Sequence, residues 1–170
     1  MSDTFKLLIL GDVHTPYHDL AAWNCALDVA RRWRPNGCVQ LGDFNSFDAV
    51  SSHDVDPKKV LPFADEVAGA NVALNELDAA LKRGGCPRTN KWMLEGNHET
   101  RVDRYVLKLA PELCSFNDWR EALKLHSRGW QVVDYKESFC FGKMRHSHDV
   151  GRAGVNAARQ SVTDVGENIV

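Results

Sequence analysis

Three observations predict an α/β fold for this chain. Short apolar runs at 5–10, 38–41 and 91–94 alternate with stretches of helical period. Strand, helix and strand follow one another within about thirty residues of the start, the spacing of a βαβ unit with parallel strands. Each apolar run ends in a glycine followed by polar side chains that can ligate a metal. These exits read Gly11-Asp12-Val13-His14, Gly42-Asp43 and Gly96-Asn97-His98-Glu99.

The run 5–10 is nearly continuous in apolar residues, as expected of a strand buried on both faces. Asp19 is placed to cap a helix whose apolar face is Leu20, Trp23, Leu27 and Ala30. Pro35-Asn36-Gly37 stops that helix, and 38–41 forms the second strand. The segment 42–57 reads as loop, with one helical turn near 47–51. Pro62 suits the first turn of a long helix with the stripe Phe63, Val67, Leu74, Leu77 and Leu81, ended by Gly84-Gly85. The third strand is 91–94, and helical patterns cover 99–109 and 117–125. Segments 130–135 and 138–144 read as a strand pair joined by a tight turn at Lys136-Glu137. A last helix is expected over 154–162, and 168–170 reads as the beginning of a strand. With no internal repeat, low-complexity stretch or linker, residues 1–170 read as a single domain.

Composition excludes several classes. A net charge of -2, with 44% hydrophobic and 26% charged residues, is that of an ordinary globular domain. Near-neutral charge disfavours nucleic acid as a partner, although it leaves room for a local basic groove. No apolar run nears the roughly 20 residues that span a bilayer, so no membrane partner is expected. The five cysteines are widely spaced without a Cys-x-x-Cys pair, which fits a reducing compartment; a cytoplasmic location is expected. Neither Gly-x-Ser-x-Gly nor a phosphate-cradling Gly-x-x-x-x-Gly-Lys-Ser/Thr occurs. The five tryptophans read as packing residues, and Arg31, Arg32 and Arg34 as cations at a helix end.

The strand exits suggest a metal centre, because ligands in parallel sheets gather at the carboxyl ends of strands. Asp12 and His14 are two apart, so in an extended segment they leave on one side. Asp43 has two oxygens with which to bridge cations, and Asn97 offers a neutral carbonyl oxygen. His146 and His148 are again two apart and are expected to share a face. Oxygen and imidazole without thiolate favour two divalent ions drawn from Mn, Fe, Zn, Co or Ni, Mn foremost. Two ions roughly 3.5–4 Å apart make a clamp for phosphoester hydrolysis. His98, too close to Asn97 to be an easy second ligand, is the expected general acid or phosphate contact. Glu99 is placed to orient it. Arg101 and Arg104 read as a solvated helix face, with phosphate contact as the alternative. Taken singly, Asp12 is a turn former and Asn97 a turn signal; three such exits together carry the argument. His18, His53 and His126 have no motif support and read as structural.

In this order, Gly-Asp-x-His at 11–14, Gly-Asp at 42–43, Gly-Asn-His-Glu at 96–99 and a later strand-end histidine resemble the calcineurin-like metallophosphoesterases. The region of Gly96 is closest to phage and bacterial members. The resemblance implies a β-sandwich of two mixed sheets flanked by helices. Asp12 and His14 would serve one metal, Asp43 would bridge, Asn97 and His146 would serve the second, and His98 would assist catalysis. It also implies metal-dependent hydrolysis of phosphomonoesters or phosphodiesters by a hydroxide bridging the ions. The family closes its site with a final Gly-His-x-His. In one register His146 is the lone upstream histidine and that motif lies beyond Val170. In the other, Arg145-His146-Ser147-His148 stands in for it. The first is preferred, because a helix and an incipient strand after His148 fit the connection to a final motif. Either leaves the ligand set short, so a domain incomplete at its C-terminal end, a weak second ion and low activity are expected. His148 is the candidate to fill the gap. The alternatives are a scaffold that keeps this fold without turnover, and a nuclease.

Overall fold

The computed structural model describes residues 4–114, 118–149, 156–165 and 168–169. The first half alternates β1 (Leu7–Leu10), α1 (Leu20–Trp33), β2 (Gly37–Gln40), α2 (Phe63–Gly84) and β3 (Lys91–Leu94). Then come α3 (Thr100–Leu109), α4 (Trp119–Ala122), α5 (Leu125–Arg128) and β4 (Trp130–Val133). The remainder is β5 (Phe139–Phe141), β6 (Met144–His146), α6 (Ala157–Val165) and β7 (Asn168–Ile169). Local chemistry sets the helix ends. Asp19 Oδ1 accepts from the N–H groups of Ala21 and Ala22 at 2.8 and 2.9 Å, capping α1. Gly85, at φ 83°, closes α2 in the left-handed conformation that lacks a penalty only for glycine.

Strands β1 to β4 lie in sequence order in one sheet, every pair parallel. Sequential order with right-handed crossovers puts the connecting helices on one face. That face carries the main core: Trp23, Leu27 and Ala30 from α1 meet Leu74, Leu77 and Leu81 from α2. Each such leucine contributes about 1.5–3 kcal/mol by leaving water. On the opposite face Val39, Trp92 and Leu94 pack against Phe139 and Phe141 of the second sheet. Trp92 stacks on Phe139 with ring centroids 4.6 Å apart. The second sheet is small, with β5 antiparallel and β7 parallel to β6. The domain is therefore mixed α/β, with helices over one face of a parallel sheet and a short sheet over the other.

Several expectations need correction. The larger sheet is wholly parallel rather than mixed. Segments 130–135 and 138–144 do not pair: β4 joins β3, and the chain then crosses between sheets through a turn closed by Glu137 N–H to Asp134 O at 2.9 Å. The hairpin is β5–β6, turning at Gly142 (φ 61°) and Lys143, which splits the run 138–144 in two. β1 and β4 are the edges of the sheet, and β1 is only partly buried; β2 and β3 are buried on both faces. The stretch 117–125 is broken into α4 and α5 at Lys124 (φ 57°), and residue 117 lies outside the described residues, as do 154–155 and 170.

At the amino ends of β3 and β4 sits a closed polar network. Asp78 Oδ1 accepts from Lys91 Nζ at 2.7 Å and Trp130 Nε1 at 3.1 Å, and Asp78 Oδ2 accepts from Arg128 Nη1 at 3.0 Å. Arg128 Nη2 also donates to Asn71 Oδ1 at 3.0 Å. Among the described residues no helix is long and apolar enough to cross a membrane.

Candidate metal centre

Beyond their strand ends, the exits of β1 and β2 stay in hydrogen-bonded register. His14 N–H donates to Asp43 O at 3.0 Å, Thr15 N–H to Phe44 O at 2.7 Å, and Ser46 N–H to Thr15 O at 2.9 Å. This pairing holds Asp12 and His14 beside Asp43. The backbone there is left-handed at Asp12 (φ 51°), His14 (φ 55°) and Asp43 (φ 49°). Among the described residues, three of the seven non-glycine residues with positive φ are thus candidate ligands, so unfavourable conformations concentrate at this spot. Each costs roughly 1 kcal/mol or more and persists only where surrounding structure enforces it.

Glu99 supplies that enforcement. It is fully buried, and its Oε2 accepts from Asp43 N–H at 2.9 Å and Gly96 N–H at 2.8 Å. Its Oε1 accepts from the backbone N–H and side-chain amide of Asn45 at 2.9 and 3.1 Å. Burial pushes this carboxyl upward, while the N–H donors of Asn45 and Gly96 pull it down. Glu99 therefore stitches two strand exits together and makes no bond to the imidazole of His98, contrary to the expectation that it orients the ring. The two glycines permit the close approach. A Cβ at Gly96 would fall onto Asp43 Oδ1, and one at Gly42 (φ 102°) would stand 2.5 Å from His148 Nδ1.

Asp43 lies at the centre, 4% exposed, with Oδ1 accepting from His98 N–H at 2.9 Å. Two groups of side chains converge on it, His14–Asp43–His98 and Asp12–Asp43–His148, with ligand atoms in each within 4.8 Å of one another. In the second group His148 Nδ1 is 2.8 Å from the carbonyl of Leu41, so this nitrogen carries the proton. The lone pair of His148 Nε2 then faces Asn97 Oδ1 at 3.2 Å and Asp43 Oδ1 at 3.5 Å. Acceptors that converge without a donor between them repel, and a cation relieves that repulsion. The donor set therefore fits a divalent metal, with oxygen and imidazole ligands and no thiolate.

In the first group His98 Nδ1 is 2.9 Å from Ser46 O, which makes it the donor. Its Nε2 accepts from Arg101 Nη2 at 3.0 Å and lies 3.9 Å from Asp43 Oδ2. The rings of His14 and His98 meet edge to face, centroids 4.5 Å apart. Burial pushes the His98 pKa down, Asp43 raises it, and Arg101 lowers it further. Adjacency to Asn97 does not keep His98 from Asp43. The two residues point to different groups, Asn97 toward His148 and His98 toward His14.

The structure thus gathers Asp12, His14, Asp43, Asn97, His98 and His148. It does not gather His146. That ring is fully buried against Phe139, centroids 5.6 Å apart, with Nδ1 3.3 Å from Phe139 O. The expectation that both histidines share a face fails because β6 ends at His146, and the chain beyond it brings only His148 to Asp43. Arg101 also departs from the solvated reading: Nη1 donates to Ser46 O at 2.9 Å and pairs with Asp48 at 2.7 Å. Its position three residues after His98, in the first turn of α3 just beyond the Asn97–Glu99 turn, was the available signal. Ser46 acts through its backbone carbonyl, for which side-chain identity gives no signal, whereas Asn45 meets Glu99 with both its N–H and its side-chain amide. A concavity of about 890 Å³ along Leu7, Val29 and Trp33 contains none of these residues. Compared with known protein families, with curated proteins and with solved structures, the chain matches none.

Proposed function

We propose that this centre hydrolyses phosphoesters with the help of divalent cations. The observation that carries the reading is Asp43, a buried carboxylate in a left-handed backbone, shared by two groups of imidazole and oxygen ligands. Asp12, Asn97 and His148 would hold one ion with Asp43, and His14 and His98 flank it on the other side. Bound there, divalent ions lower the pKa of water and offset charge that grows on phosphate oxygens. The chain's own residues supply orientation and a proton path. The Leu41 carbonyl holds His148 in one tautomer, leaving Nε2 as the ligand atom. Ser46 does the same for His98, so Nε2 is the atom that exchanges a proton. As a water oxygen bonds to phosphorus and the ester P–O bond breaks, the water would release a proton to solvent and the leaving oxygen would take one from His98 in its doubly protonated form, at Nε2. Arg101, beside that atom, favours its release.

The test is turnover of nitrophenyl phosphate and bis(nitrophenyl) phosphate with added Mn. Asp43→Asn keeps the shape and the oxygen that accepts from His98 N–H. It removes the charge, and the expected loss is at least about a hundred-fold. Turnover that survives this substitution would remove Asp43 from the reaction.

A further inference from the structure

Beside the centre, α3 and the segment at Ser51 and Ser52 enclose a groove of about 360 Å³. Arg101, Arg104 and Lys108 line it together with Tyr105, and among the described residues no carboxylate does. Arg101 is already neutralised by Asp48, so the free positive charge belongs to Arg104 and Lys108. Arg104 spends two of its five N–H groups on the carbonyls of Thr100 and Asn97, at 3.2 and 2.8 Å. Three remain. Among the described residues Lys108 has no ion-pair or hydrogen-bond partner, and its side chain is exposed. Arg104 and Lys108 are one helical turn apart, about 6 Å along the axis. Tyr105 lines the same groove and is 45% exposed.

The groove adjoins the centre, because Arg104 bonds the Asn97 carbonyl and Arg101 bonds His98. A ligand that places phosphorus at Asp43 therefore runs its next anionic group along α3. We propose that the groove binds the nucleotide adjacent to the scissile phosphate of a single-stranded nucleic acid. The neighbouring phosphate would lie on Arg104 and Lys108, and its base would stack on Tyr105. Cations that track a backbone, with an aromatic ring for the base, are the recurrent solution for single strands. A groove of this size admits one splayed nucleotide and no duplex. The near-neutral charge of the whole chain does not oppose this, since two uncompensated cations act locally. This inference rests on the phosphoesterase reading for its chemistry, but its binding site is tested without turnover.

The experiment measures binding of fluorescein-labelled hexathymidylate to the full chain in EDTA at several salt concentrations. Two phosphate contacts predict a slope of log K against log salt of about -1.4. Lys108→Ala should reduce the slope by about 0.7, whereas Lys108→Arg keeps it. Tyr105→Ala should weaken binding about ten-fold. Lys82→Ala, at the far end of α2 and outside the groove, serves as the control for general charge and should leave the slope unchanged. Absence of binding, or affinity indifferent to both Lys108→Ala and Tyr105→Ala, would overturn the proposal. So would equal competition by thymidine 3′,5′-bisphosphate, which would assign the groove to a mononucleotide. Hydrolysis of nitrophenyl phosphate with Mn is followed separately. If it occurs while the strand does not bind, only the groove assignment fails; if the strand binds and nothing is hydrolysed, only the phosphoesterase reading fails.

Discussion

The two ends of the parallel sheet carry buried polar clusters of opposite character. At the amino ends, Asp78 is matched by Lys91, Arg128 and Trp130, so every strong acceptor there meets a donor. At the carboxyl ends, Asp12, Asp43, Asn97 Oδ1 and His148 Nε2 bring acceptors together with no matching cationic side chain among the described residues. The backbone differs in the same sense, with left-handed residues at Asp12, His14 and Asp43 and regular strand starts at Lys91 and Trp130. One cluster is complete within the chain and serves stability. The other gathers groups that could hold a metal ion, and Glu99, Gly42 and Gly96 allow the close approach that brings them together.

The contrast breaks most visibly under single substitutions. Asp78→Ala strands Lys91 and Arg128, whose side chains are 7% and 13% exposed, without a counter-charge. Stripping one partner from a buried pair costs about 3–5 kcal/mol, which urea unfolding would register. Asp43→Asn should shift the same curve by less than about 1 kcal/mol, since it relieves repulsion among acceptors. Comparable losses for the two variants would erase the distinction.

Next in size is the response to metal. A cation that binds only the folded chain, at a hundred times its Kd, adds about 2.7 kcal/mol. Mn should therefore raise Tm of the wild type and of Lys108→Ala, and leave Asp43→Asn unmoved. A rise shared by Asp43→Asn would place the ion elsewhere.

The smallest effect sharpens the comparison at a third carboxylate, one without a cationic partner among the described residues. Glu66, on the first turn of α2, is 1% exposed and accepts from Asp48 N–H and Ala49 N–H at 2.9 and 3.2 Å. Burial, the leading cause, raises its pKa above the ordinary 4.5. In the window between the two values the folded chain holds a proton that the unfolded chain releases. Stability from this group is full below about 4.5 and declines as pH rises through the raised value. Relative to Glu66→Gln, the wild type should lose Tm across that window; parallel curves would contradict the sign.

The parallel strands and the two long helices were legible because periodicity and caps are local signals: Asp19, Gly85 and the stripe ending at Leu81 fall where the sequence places them. The β4 partner was not, since Trp130–Val133 reads the same whether it pairs with β3 or β5. Gly142-Lys143 was the turn signal for the real hairpin. Within the site, residue types and order indicated Asp12, His14, Asp43, Asn97, His98 and His148. The choice between His146 and His148 was not legible, because it depends on where β6 ends. Nor was the role of Glu99, whose four hydrogen bonds reach backbone and amide groups on separate strand exits.

Anomalous scattering at the Mn edge, from crystals grown with that ion, tests the central claim most directly. A peak bounded by Asp43, His148, Asn97 and Asp12, and absent from crystals of Asp43→Asn, is the predicted result. No peak at the carboxyl ends of β1, β2 and β3, or one held by other residues, would contradict it.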